Sequence, residues 1–187
     1  MRIIGGKLKG SALNIPKDKK TRPLKDLVRE SIFNLLNHSN KISLKLEGSN
    51  ILDLYSGTGS FGLECLSRDA KCVYFVENEK NAIDILKKNI DKLKLKKKIK
   101  IFFNNTFDLL KKSDVLKIKF NLVFCDPPFK DENIELLINL ILKEKILDKN
   151  GIIILHRKKD KKDKLPDHFK VIEERTYGVS KIIFGKF

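Results

Sequence analysis

The chain has 187 residues, 41% of them hydrophobic, and its 40 Lys and Arg outnumber 24 Asp and Glu for a formal charge of +16. That length supports one domain with a real core, leaves no room for two full catalytic domains, and excludes disorder as the dominant state. No apolar run approaches the roughly 20 residues needed to cross a bilayer, and the opening MRIIGGKLKG has no apolar leader segment, so a cytoplasmic protein is expected. Cys65, Cys72 and Cys125 form neither a C-x-x-C pair nor a disulfide framework; they read as small apolar core residues, and no metal site is expected. The excess of positive charge points to a polyanionic partner.

Residues 1–23 form a basic arm containing Gly5, Gly6 and Gly10, in which 2–4 and 11–15 read as a short pair of strands. From Leu24 the apolar residues Leu27, Val28, Ile32, Leu35 and Leu36 fall at helical spacing, predicting a helix entered through Pro23 and running to about residue 37. Beyond Gly48, nearly continuous apolar runs at 51–55, 72–77, 99–103, 122–126 and 152–156 read as strands buried on both faces. The stretches 61–67, 81–93, 107–112 and 134–142 between them read as helices. A βαβ succession of this kind predicts an open parallel sheet with helices on both sides. Residues 169–175 and 179–184 flank a Tyr177-Gly178 turn and predict an antiparallel hairpin at the sheet edge. Two lysine-rich runs, 87–100 and 157–164, read as solvated helix ends and loops. The first 40 residues are expected to be a basic hairpin-and-helix extension on a core spanning 41–187.

The first motif with chemistry in it is D-L-Y-S-G-T-G-S-F-G at residues 53–62, where the first parallel strand turns into a helix. Gly57 and Gly59 let the backbone approach a ligand, and Gly62 allows tight packing of helix on strand. Ligands of open α/β sheets sit at the carboxyl ends of the strands, so a nucleotide-like cofactor is expected at this turn. Gly57, Gly59 and Gly62 also satisfy the dinucleotide pattern G-x-G-x-x-G, with Glu77 twenty residues beyond Gly57, and spacing alone does not separate the two cases. Asp53, four residues before Gly57, would lie close to any bound phosphate; a carboxylate there better suits a cationic ligand such as the amino and sulfonium groups of S-adenosylmethionine. Glu77 ends the second strand and can accept both hydroxyls of a ribose, and Asn105 offers a donor and an acceptor to an adenine edge.

The second motif is V-F-C-D-P-P-F at residues 123–129, at the end of the fourth strand. Consecutive prolines remove backbone donors and hold the chain extended. Asp126 and the carbonyl of Pro127 can then accept the two hydrogens of an exocyclic amine, while Phe129 offers a face for a base to stack on.

With these motifs in view, the chain resembles the RsmD family of bacterial 16S ribosomal RNA guanine-N2 methyltransferases. The resemblance is carried by I-I-G-G-K-L-K-G at 3–10, R-P-L-K-D-L-V-R-E-S-I-F-N at 22–34, the glycine motif continued to 68, V-E-N-E at 76–79 and D-P-P-F at 126–129. It implies a Rossmann-like class I α/β fold, a seven-stranded mostly parallel sheet of order 3-2-1-4-5-7-6 with an N-terminal β-hairpin plus helix, and S-adenosylmethionine as cofactor. It also implies that Asp53 and the backbone of Ser56, Gly57 and Gly59 hold the methionine part, Glu77 the ribose and Asn105 the adenine, with Tyr55, Asn78 and Thr106 also binding the cofactor. Asp126, Pro127, Pro128 and Phe129 would take the target amine, and Arg2, Lys7, Lys9, Arg22 and Arg29 would grip RNA phosphates. The implied partner is ribosomal RNA or the small ribosomal subunit, met by a monomer. Two departures stand out: Leu24 replaces the family's Thr after Arg-Pro, and His156 with Arg157 ends the fifth strand where an acid is expected. Neither is expected to touch the methyl-transfer residues. An amino-methyltransferase of DNA shares the D-P-P-F type of motif, and a non-catalytic ribosome-assembly factor is the other alternative; the short chain disfavours the first and the intact motifs the second.

Overall fold

The computed structural model describes residues 1–16, 24–112, 114 and 116–187. The order of elements is α1 (Asp26–His38), β1 (Asn50–Leu54), α2 (Ser60–Ser67), β2 (Cys72–Glu77), α3 (Lys80–Leu93), β3 (Ile99–Phe103), α4 (Thr106–Lys111), β4 (Phe120–Cys125), α5 (Ile134–Lys143), β5 (Leu147–Lys158), β6 (Lys170–Tyr177) and β7 (Ser180–Lys186). The seven strands form one sheet of order β3-β2-β1-β4-β5-β7-β6. β1 to β5 run parallel, and β7 pairs antiparallel with both β5 and β6. This is the class I methyltransferase topology that the resemblance implies.

Alternation along the strands sorts side chains onto the two faces. Ile51, Leu122, Phe124, Ile152, Ile154, Ile182 and Phe184 join a core layer with α1, α2 and α3. Leu52, Leu54, Val123, Cys125, Ile153, Leu155 and Ile183 join a second layer with α4 and α5. The same parity puts Asp53, Asp126, His156 and Ser180 on the first face, at the ends of adjacent strands.

The N-terminal hairpin is short. Arg2 and Ala12 make a single antiparallel bridge, flanked by hydrogen bonds from Ile3 N–H to the Ser11 carbonyl (2.9 Å) and from Leu13 N–H to the Met1 carbonyl (3.1 Å). The anticipated pairing of 2–4 with 11–15 narrows to this bridge because residues 5–10 turn to dock on α2. Glu64, buried in α2, accepts from the N–H groups of Ile4 and Gly5 at 2.7 Å each. Gly6, at φ +73°, sits so close to the Ser67 carbonyl that a Cβ would lie 1.9 Å from its oxygen. Only glycine permits this approach. The helix α1 begins at Asp26, and Leu24 is buried before it, a different role from capping. Its Phe33 stacks on Phe61 (5.2 Å between centroids), which stacks on Phe124 (3.9 Å), tying α1 through α2 to β4. Cys65 and Cys125 are buried as expected, whereas Cys72 is half-buried and its thiol lies 3.3 Å from Asn50 Oδ1.

Candidate active site

A cleft of about 610 Å³ opens at the carboxyl ends of β1, β2 and β4. Asp53, Tyr55, Ser56, Gly57, Glu77 and Asn78 line it together with Asp126, Pro127, Pro128 and Phe129, so both motifs open into one hollow. β1 and β4 are hydrogen-bonded neighbours with Asp53 opposite Phe124, which brings the two motif ends side by side.

The glycine turn is bent by backbone that few residues tolerate. Tyr55 (φ 59°), Gly57 (φ 54°) and Gly59 (φ 81°) all lie in the left-handed region. Asp53 is 1% exposed and accepts from Gly62 N–H at 3.0 Å, fixing the start of α2 against β1. Burial drives its carboxyl well above the ordinary range; the Gly62 bond opposes this, and the charges of Asp126 and Glu77 add to it. A carboxylate in this position is relieved by a cation. Gly62 itself is required for packing, since a Cβ would lie 2.4 Å from the Phe75 ring and 2.7 Å from Val73 Cγ1. Gly59 is not at the cleft surface; its own Cβ position is filled by Leu86 at 2.3 Å, so its smallness serves helix packing.

Glu77 is held by three backbone donors. Gly57 N–H donates to Oε2 at 2.7 Å, and Asn78 and Glu79 N–H donate to Oε1 at 2.7 and 2.9 Å. A carboxylate accepts about four hydrogen bonds, so this one keeps room for a single hydroxyl where the sequence reading had it take two. Asn105 is exposed and caps α4, its Oδ1 accepting from Phe107 N–H at 2.8 Å; its acceptor is spent on the helix. Thr106 is buried beside the Tyr55 hydroxyl, whose pKa burial pushes up, and neither Asn105 nor Thr106 lines the cleft.

The fifth strand end corrects an expectation. His156 and Arg157 both touch the amine motif: His156 Nδ1 lies 2.8 Å from Asp126 Oδ1, and Arg157 donates to the carbonyls of Pro128 (3.2 Å) and Asp131 (2.6 Å). Arg157 also holds Asp163 with two bonds of 2.8 Å. β5 lies in register beside β4, Leu155 opposite Cys125, so the residue after each is a neighbour of the other.

The family described as Conserved hypothetical protein 95 matches residues 1–186. The chain belongs to this family, the RsmD methyltransferases. It is similar to Ribosomal RNA small subunit methyltransferase D of Haemophilus influenzae, with 33% identity over 96% of this chain and 90% of that protein. A Bacillus subtilis relative named as an rRNA methyltransferase is 31% identical over 100% of this chain and 98% of its own. Among solved structures, an Escherichia coli protein described as a methyltransferase superposes with a TM-score of 0.81 at 26% identity, covering 99% of this chain and 96% of the other. A Haemophilus influenzae protein described as a methylase does so at 0.75 and 31% identity, covering 98% and 96%.

Within this RsmD-family chain the residues expected on RNA divide. Arg2, Lys7 and Lys9 are exposed, Lys7 pairing with Asp69 at 2.6 Å. Arg22 lies outside the described residues. Arg29 is 0% exposed, its guanidinium bonded to Asp26 (3.0 Å) and to the Arg2 carbonyl, and this corrects its assignment to RNA phosphates. The helical period could have shown this, because Arg29 adjoins Val28, Ile32 and Phe33 on the buried side of α1. Leu24, a departure expected to stand clear of the methyl-transfer residues, lines the cleft instead, and so do Phe61 and Phe124, which carry no motif signal. The stretches containing the two phenylalanines read as core, and nothing in their spacing separates core from cleft wall.

Proposed function

We propose that the chain transfers a methyl group from S-adenosylmethionine to the exocyclic N2 amine of a guanine in 16S small-subunit ribosomal RNA. The observation that carries this is the meeting of Asp53 and Asp126 in one cleft, at the tips of neighbouring strands. The residues fit the cofactor. Asp53 is a buried carboxylate in want of a cation, Ser56 Oγ is buried with no hydrogen-bond partner among the described residues, and Glu77 is fixed by backbone donors with an acceptor position to spare. When bound, S-adenosylmethionine supplies a methyl group on a positively charged sulfur. Asp53 and Ser56 would hold its methionine part and Glu77 a ribose hydroxyl.

The amine comes to residues 126–129. Its lone pair is delocalised into the base, and methylation at nitrogen requires that pair to be localised and aimed. Asp126 and the Pro127 carbonyl each accept one amine hydrogen, and Phe129 stacks on the ring. Aligning reactants in this way is worth on the order of 7–11 kcal/mol in favourable cases. The amine gains a carbon and loses one proton, for which the Asp126 carboxylate is the nearest acceptor. A base inside a helix cannot reach this corner, so the target is flipped or lies in a loop. The names of the relatives support ribosomal RNA as the substrate class. Residues 1–40, carrying the exposed Arg2, Lys7 and Lys9, are the proposed RNA-binding extension.

The test is transfer of label from S-adenosylmethionine to ribosomal particles from cells lacking this protein, run against genomic DNA, with mass mapping of the product. One new N2-methylguanosine is expected, and Asp126→Ala should abolish it while S-adenosylhomocysteine affinity stays within a few fold. Label entering DNA alone, or full activity in Asp126→Ala, defeats the reading.

A further inference from the structure

Glu77, at the end of β2, is held by the N–H groups of the next two residues. Asp126 has no such support, because residues 127 and 128 are both prolines and carry no N–H. The motif that presents the amine acceptor thus also removes its local anchors. Its position has to come from a side chain elsewhere.

We propose that His156 is a positioning residue for the amine site, fixed by Ser180 and in turn fixing Asp126. The imidazole is 1% exposed at the end of β5 and bonds at both nitrogens: Nδ1 to Asp126 Oδ1 at 2.8 Å, Nε2 to the buried Ser180 Oγ at 2.9 Å. A carboxylate only accepts, so Nδ1 carries the hydrogen; the serine hydroxyl can then donate to Nε2. With Oδ1 taken by the imidazole, Oδ2 has no hydrogen bond among the described residues and is the oxygen left for an amine hydrogen. The Phe129 ring also packs against the imidazole in a T-shaped contact, at 5.4 Å and 77°, so one side chain sets both the acceptor and the stacking face. This rests on Asp126 as the amine acceptor, proposed above.

Two measurements test it. In ligand-free protein, the ¹⁵N shifts of His156 should show Nδ1 protonated, and Asp126→Ala should remove that signature; a ring with bare Nδ1 and hydrogen on Nε2 overturns the proposal. This arm stands whatever nucleic acid proves to be the substrate. The second arm compares His156→Phe, His156→Asn and His156→Gln on ribosomal particles from cells lacking the protein. Phe keeps the ring packing and loses both bonds, Asn places an amide N–H near the Nδ1 position, and Gln reaches toward the Nε2 position only. His156→Phe should lose about 100-fold in kcat, the scale of a misplacement near 1 Å. Its S-adenosylhomocysteine affinity by calorimetry should stay near wild type, while its melting temperature should fall by a few degrees for the buried Ser180 hydroxyl left without a partner. His156→Asn should recover most of the loss and His156→Gln little of it. Equal activity of Phe and Asn variants with intact cofactor affinity refutes the positioning role. Absence of methylation by the wild-type protein refutes the substrate assignment instead.

Discussion

Replacing Arg157 with Met removes a buried guanidinium of similar length and leaves its partners behind. Four hydrogen bonds disappear: two of 2.8 Å to Asp163, one of 3.2 Å to the Pro128 carbonyl and one of 2.6 Å to the Asp131 carbonyl. The Pro128 carbonyl retains the Asp131 N–H at 2.8 Å and Asp131 is half-buried, so water can satisfy what the carbonyls lose. Asp163 cannot be relieved in that way, because its side chain is 3% exposed. Stranding one member of a buried ion pair costs about 3–5 kcal/mol. In a domain of this size each kcal/mol lowers Tm by about 2–4 °C, so Arg157→Met should melt roughly 6–20 °C below wild type. Removing the stranded charge as well, in Arg157→Met with Asp163→Leu, should recover about 2–3 kcal/mol. Urea melts of the wild type, both single variants and the double variant give the coupling directly. A single variant within about 0.5 kcal/mol of wild type, or a double variant no better than the sum of the singles, would refute the argument that this pair holds the 128–131 corner.

Asp53 gives a prediction of opposite sign. Its folded pKa is raised, so the folded state binds the extra proton and ligand-free stability declines as pH climbs above the unfolded carboxylate value of about 3.9. Asp53→Asn should flatten that decline and melt higher than wild type at pH 8 without ligand, while losing tenfold or more in S-adenosylhomocysteine affinity; a lower melting temperature counts against the burial argument. Gly62→Ala puts a methyl into the Phe75 ring and Val73, and overpacking of about 1–3 kcal/mol should outweigh the gain of about 1 kcal/mol in helix propensity, seen as a fall in Tm of several degrees. Replacing Arg2, Lys7 and Lys9 together by Ala should lower the slope of log affinity for RNA against log salt by up to about 3, with the Asp69 pairing reducing the share of Lys7; an unchanged slope removes this arm from the RNA contact.

Much of the architecture was legible in sequence because its signals are local and repeated. Runs such as 72–76 and 122–125 are apolar at every position, as a strand covered on both faces must be, each closing on an acid, and residues 81–93 carry a single apolar stripe. The glycine motif and D-P-P-F mark their places because a sharp turn and a donor-free corner each demand particular residue types. Boundaries moved where tertiary contacts extended or cut short an element. The strand read at 152–156 runs Leu147–Lys158 because β4 and β7 pair along it, and the strands of the basic arm shrink to one bridge because Glu64 and Ser67 draw residues 4–8 onto α2.

By itself the sequence determined the sheet, its helices and the two motifs, since periodicity and turn chemistry are properties of neighbouring residues. Only the tertiary structure decided what each polar side chain does, because a hydrogen bond depends on atoms brought within 3 Å by strands distant along the chain. Arg29, basic and on a helix, became an internal brace; Asn105 became a helix cap; His156 and Arg157, which looked remote from the chemistry, became the supports of Asp126 and the corner that follows it. Thirty residues separate Asp126 from His156, and the register of β4 against β5 closes that distance to 2.8 Å.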